Sequence, residues 1–229
     1  MKHEETRVQP PLPELKWETY SWSGSATLES WRGFRDSSGA YGSQATETPS
    51  EGRVSVNVEV QHGDESRAIA IEQVEAFDFL LSRQYEIRDV ILEAVFGLYP
   101  TWQKEIYECY DEDYLEEVKK FMPDLREISL LRDLMGLSTV HLLRTVKDGA
   151  SYIGFEFGCS WEDEHGLGVL THKQRIVDIG GADTAFIGWN AERDMRGEDI
   201  HAPVERPTKT EKPLLRVDNS QVELPFDLS

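Results

Sequence analysis

Hydrophobic and polar positions change rhythm twice along this chain, and the changes predict its layout. Trp17 to Glu29 alternates loosely around Trp17, Tyr20 and Trp22. A Gly/Ser-rich stretch from Gly33 to Gly52 follows and reads as a long loop. Arg53 to Val60 then sets Val54, Val56, Val58 and Val60 at every second position, the pattern of a half-buried strand. His62-Gly-Asp-Glu65 is a turn signal.

Beyond that turn the spacing shifts to threes and fours. Ile71, Val74, Phe77, Leu80 and Leu81 predict one helix, and Ile87, Val90, Ile91, Ala94, Val95 and Leu98 predict a second. Pro100 is expected to end or kink the latter near Tyr99. Trp102, Ile106 and Cys109 suggest a further helix; Leu115, Val118, Phe121 and Met122 suggest another, closed by Pro123. Asp124 with Glu127 fits an acidic capping box opening a short helix through Leu125, Ile128, Leu131 and Leu134, stopped by Gly136.

Period two returns after Gly136. Thr139–Val146 and Ala150–Cys159 flank Lys147-Asp148-Gly149, whose Asp-Gly is a hairpin signal. Ile153, Phe155 and Phe157 share one face of the second strand; Tyr152, Gly154 and Glu156 share the other. A polar loop over Trp161–Gly168, a short strand near Val169–Thr171 and another at Arg175–Ile179 complete the run, which Gly180-Gly181-Ala-Asp183 terminates as a bare turn. The predicted class is α+β: an antiparallel sheet, built from N-terminal strands plus a C-terminal four-strand meander, packed against a central group of helices. Residues 1–16 form an extended Pro-containing arm, 17–189 a single α+β domain, and 190–229 a Pro-rich, charged tail with apolar sets Leu214/Leu215/Val217 and Val222/Leu224/Phe226.

Composition narrows the function classes. Forty-three acids against 24 bases give a net charge of -19. That balance excludes nucleic acid and anionic membrane surfaces as partners and favours a basic protein. Two cysteines, Cys109 and Cys159, make no disulfide framework, and the N-terminus lacks the apolar core of a signal peptide. No apolar run approaches the ~18 residues of a membrane span. The expected setting is the cytoplasm, and no cofactor motif, phosphate loop or nucleophile elbow is present.

Two stretches carry candidate chemistry. Glu105, Glu108, Asp111, Glu112, Asp113, Glu116 and Glu117 follow one another with no base between them, interleaved with Tyr107, Tyr110 and Tyr114. Carboxylates steer a basic partner and tyrosines supply contact area; the bland alternative is a solvated helix face. The second stretch is Trp161-Glu-Asp-Glu-His-Gly-Leu-Gly-Val-Leu-Thr-His172, with Trp161, Glu164 and His165 as partner contacts. Glu162, Glu164, His165 and His172 are weak candidates for a metal, which would make a metal-assisted hydrolase. Their spacing matches neither a His-Glu-x-x-His site nor an EF-hand, and a Glu-His pair on extended chain points two ways. Anchoring of the loop itself, by Glu164 and His165 on backbone amides and Trp161 on the sheet, is the competing structural role.

The stretch from Tyr152 to Asp183, with its Trp-x-x-Glu-His-Gly-Leu-Gly-Val signature, resembles an uncharacterised bacterial family of domains of unknown function. Gln73-Val-Glu-Ala-Phe77 and Leu98-Tyr-Pro100 are similar to it too, so the likeness spans residues 20 to 190 or so. Related domains are often associated with polymorphic-toxin and immunity loci. The resemblance therefore implies a small cytosolic protein that neutralises a toxin by occluding its basic face. It supplies no catalytic residues, and a binding protein is expected rather than an enzyme. A scaffold subunit of a larger assembly is the third reading, suggested by the two arms.

Overall fold

The alternating valines form a strand at the centre of a large sheet. In the computed structural model, which describes residues 5–38, 40–42 and 44–202, ten strands occur: β1 (Thr6–Arg7), β2 (Leu15–Glu18), β3 (Ser21–Thr27), β4 (Arg35–Ser38), β5 (Gln44–Pro49), β6 (Arg53–Glu59), β7 (Met135–Lys147), β8 (Ala150–Cys159), β9 (Glu162–His172) and β10 (Arg175–Gly180). Eight of them make one sheet in the order β1-β2-β3-β6-β7-β8-β9-β10, while β4 and β5 pair separately. Every pairing is antiparallel except that of β6 with β7. The fold is α+β with a mostly antiparallel sheet, as the sequence pattern predicts.

Among the described residues four helices accompany the sheet: α1 (Ile71–Glu108), α2 (Glu112–Phe121), α3 (Leu131–Leu134) and α4 (Trp189–Met195). Val74, Phe77, Leu80, Ile87, Ile91, Val95 and Tyr99 of α1 are buried against Val54, Val56, Val58, Val140, Leu142, Ile153, Phe155 and Phe157 of the sheet. The opposite face carries a smaller cluster, Leu143, Tyr152, Leu170 and Val177, covered by Ala191 and Ile200. Among the described residues no helix is long and apolar enough to cross a membrane.

Several expectations change. The three helices predicted over 71–109 are one, departing from helical geometry only at Arg83 (φ -121°, ψ 17°). Pro100 does not end it. Proline removes one bond to the carbonyl of Phe96, and its exposed position lets water serve that carbonyl. Buried Tyr99 on one side, and Trp102 and Ile106 packed on the core on the other, hold the helix through the interruption. The 33–52 stretch is not a long loop: it contains the β4–β5 hairpin. That hairpin lies backbone to backbone on the sheet, which is why glycines meet it there. A Cβ on Gly136 would fall 1.7 Å from the Arg35 carbonyl oxygen, and one on Gly158 would fall 2.1 Å from that of Gly42.

Gly136 is thus a position of close approach within β7 and no helix stop. The helix expected from Asp124 begins only at Leu131, after a 3-10 turn over Ile128–Leu130, and Glu127 accepts from the Ser129 hydroxyl (2.7 Å). The arm expected over 1–16 contributes β1 and the start of β2 to the sheet edge. Residues 190–195 continue α4, and the prolines and apolar sets of the tail beyond 202 lie outside the described residues.

The Trp161–Gly168 segment is the largest change. It is the first half of β9, not a free loop. Phe157 pairs with Leu167 and Cys159 with Glu162, so an advance of two residues on β8 is matched by five on β9. The three extra residues bow out as a bulge, and Gly166 within it takes φ +60°. The Asp148-Gly149 hairpin turn is as expected, with both residues at positive φ.

Candidate functional site

The β8–β9 turn reaches the far end of α1 and is fastened there. Ser160 N–H donates to the Leu134 carbonyl (2.8 Å) and its hydroxyl to the Phe121 carbonyl (2.6 Å). Next along the chain, Trp161 meets Tyr99 edge-on at 5.3 Å and lies near-parallel to Trp102 at 6.5 Å. Tyr99 donates to the Pro123 carbonyl (2.9 Å), and Tyr107 to that of Met122 (2.7 Å). Burial pushes both phenols above their ordinary range, so they remain neutral donors. Tyr107 is therefore a strut; Tyr110 and Tyr114 stay exposed.

Trp161 divides two hollows. On one side is a cleft of 310 Å³ walled by Trp102, Glu105, Ile106, Trp161, Glu162 and His165, with Gly166, Leu167, Gly180 and Gly181 completing it. On the other is a groove of 180 Å³ between Ile106, Tyr110, Val118, Phe121, Met122, Ser160 and Trp161. The two stretches that sequence patterning treats separately thus meet at one end of the molecule. Gly180-Gly181, read as a bare turn, forms part of the cleft.

The acids from Glu105 to Glu117 are all exposed, while Glu162 in the cleft wall is half-buried. Glu108 pairs with Lys104 (3.7 Å), Glu116 with Lys119 and Glu117 with Lys120 (both 2.6 Å). The hydrogen bond from Lys119 holds the Glu116 carboxyl below its usual value. Glu105, Asp111, Glu112 and Asp113 form no ion pair among the described residues, so the unbalanced charge lies at the α1–α2 corner and in the cleft. Within α2, Glu112 and Asp113 open the helix and Lys119 and Lys120 close it, the arrangement the helix dipole favours. No α2 residue is fully buried.

In the β9 bulge, Glu162 Oε1 accepts from the His165 backbone N–H and faces its Nδ1, both at 3.1 Å. The anchoring expected of Glu164 and His165 is done by Glu162. Glu164 and His165 are exposed. His172 is not part of this group: it sits at the other end of β9, packed on Tyr152 at 4.8 Å, with Nε2 2.8 Å from the Lys147 carbonyl oxygen. Among the described residues, no three His, Cys, Asp or Glu side chains are placed to hold a metal ion.

Two polar groups lie outside the candidate stretches. His141 Nε2 lies 2.8 Å from Glu156 Oε2, both side chains nearly buried on the sheet's second face beside Phe186. A glutamate in the apolar run Ile153–Phe157 was the available signal. Asp194 Oδ2 of α4 accepts from Tyr152 (2.6 Å), Lys147 (3.0 Å) and Arg175 (2.6 Å). Burial alone would raise this carboxyl, but the three donors and the Arg175 charge outweigh it and hold it well below 3.8. Cys159 is buried and its thiol is pushed up to about 12, mainly by burial, whereas Cys109 is exposed.

Residues 31–186 match the family described as domain of unknown function DUF6985. The chain belongs to that family. Curated proteins and solved structures give no match. The DUF6985 region contains both hollows and every acid around them; β1, β2, β3 and α4 lie outside it.

Proposed function

We propose that this DUF6985 protein is a cytosolic immunity protein of a bacterial toxin locus, which occludes the basic face of its toxin with the acidic, aromatic end of the molecule. The reading rests on one observation: the Glu105–Glu117 acids and the Trp161–His165 patch share the corner formed by α1, α2 and the β9 bulge. Exposed Tyr110, Tyr114 and Phe121 beside unbalanced carboxylates supply contact area together with long-range attraction. The resemblance to domains at toxin–immunity loci points the same way.

The test is binding of the protein encoded beside this one, measured across ionic strengths. Affinity should fall as salt rises. A combined Asp111→Lys, Glu112→Lys, Asp113→Lys variant should bind at least ~10-fold more weakly, a cost of about 1.4 kcal/mol. Equal binding by wild type and variant, or no binding at any salt, defeats the proposal.

A second reading, a metal-assisted hydrolase, draws on the Glu162–His165 pair standing in a cleft. It lacks a third ligand: among the described residues no three His, Cys, Asp or Glu side chains are placed to hold an ion. Divalent ions that leave the melting temperature unmoved would remove it.

A further inference from the structure

We infer that the cleft beside Trp161 is a receptor for a guanidinium group, the seat of one arginine side chain of the basic partner. This deepens the binding proposal, since it names the partner group that the cleft takes. Four features of the cleft carry it. Two indoles, Trp102 and Trp161, line it at an interplanar angle of 25°. Two carboxylates, Glu105 and Glu162, line it as well. His165 engages Oε1 of Glu162, and Oε2 accepts no hydrogen bond among the described residues. Gly180 and Gly181 close the remaining side of the 310 Å³ hollow.

Each feature narrows the ligand. Carboxylates in a chain of net charge -19 repel anions and attract cations. Indole faces attract cations through their quadrupole and offer flat surfaces. A neutral aromatic group would use the indoles and leave the carboxylates unsatisfied. An ammonium would use the charge but not the flat walls, because it is a compact and strongly hydrated point. Guanidinium alone is planar, weakly hydrated and able to donate in a fork to a carboxylate while stacking on a ring. Ile106 and Leu167, also in the lining, suit the methylene stem of the same side chain.

The probe is Nα-acetyl-arginine methylamide, titrated into the full chain at constant ionic strength beside its lysine and citrulline counterparts. Citrulline keeps the shape and loses the charge. The readout is the indole N–H resonances of Trp102 and Trp161. The arginine compound should shift both, with a dissociation constant on the order of 1–10 mM, and citrulline should bind at least ~10-fold more weakly. Glu105→Gln should weaken arginine several-fold without lowering the melting temperature, and Glu162→Gln should weaken it by a similar factor. Indoles that do not move, citrulline that equals arginine, or carboxamide variants that bind as wild type would each overturn the assignment. If the probe fails while the neighbouring protein still binds through Asp111, Glu112 and Asp113, the cleft assignment falls and the acidic-face reading stands. If the probe binds and no partner is found, the opposite holds.

Discussion

Asp194 shows how much one side chain can organise. Its carboxylate gathers donors from β7, β8 and β10 and so fixes the short helix α4 on the sheet. Because its folded pKa lies below the ordinary 3.8, it stabilises the fold above that value and loses the contribution as pH falls through the folded pKa. Asp194→Asn should therefore cost about 2 kcal/mol at neutral pH. Urea titrations repeated from pH 7 downward should show the gap between wild type and variant closing below 3.8. A gap independent of pH would mean that packing, not charge, is what Asp194 supplies. The His141–Glu156 pair is a different case: it stands on the sheet face opposite α1 and takes no part in the cleft.

At the scale of elements, the β9 bulge is the decisive feature, and its glycine can be tested against a control. Gly166 has φ +60°, and a Cβ there would lie 2.5 Å from the Tyr41 carbonyl oxygen and 2.8 Å from that of Phe157. Gly149, in the β7–β8 turn, has φ +71° and open space around it. Gly149→Ala should cost about 1 kcal/mol, the left-handed strain alone. Gly166→Ala should cost roughly 1–3 kcal/mol more, because backbone must also shift. Equal denaturation midpoints would show that residues 40–42 yield freely over the bulge.

That glycine also shows where legibility ended. Val54, Val56 and Val58, the Asp148-Gly149 turn and the alternation over Ile153–Phe157 could be read directly, because each depends on neighbours close in sequence. The helix phase from Ile87 to Tyr99 was equally plain. Gly136, Gly166 and Gly168 were misleading as loop or stop signals. Their smallness serves backbone brought from residues 35–42 and 181–185, and no local pattern reports such distant company. Glu105, Tyr110, Trp161 and His165 were legible as chemistry, but their shared corner was not. It depends on α1 continuing past Pro100 to reach the β8–β9 turn.

For the whole molecule, the organising fact is the single parallel pairing. β1, β2 and β3 follow one another and take in β6 after the β4–β5 hairpin, while β7, β8, β9 and β10 run consecutively; the two groups meet only where Ser55–Val58 lies beside Thr139–Leu142. Gln73, fully buried at the start of α1, stands over that line. Its Oε1 accepts from the Ala70 N–H (3.0 Å), and its Nε2 donates to the carbonyls of Glu59 (2.9 Å) and Leu142 (2.8 Å). Gln73→Leu would strand all three groups and should cost at least about 2 kcal/mol by chemical denaturation. A smaller loss would show that water or a shifted backbone serves them. The arrangement also bears on the order of assembly. Each group can pair within itself, but the seam between them must await everything from residue 60 to residue 134. Closing so long an intervening segment is the slow step expected of this topology. The corner that would greet a partner joins that same late segment to the β9 bulge, so a nascent chain gains its recognition surface only as its two halves lock together.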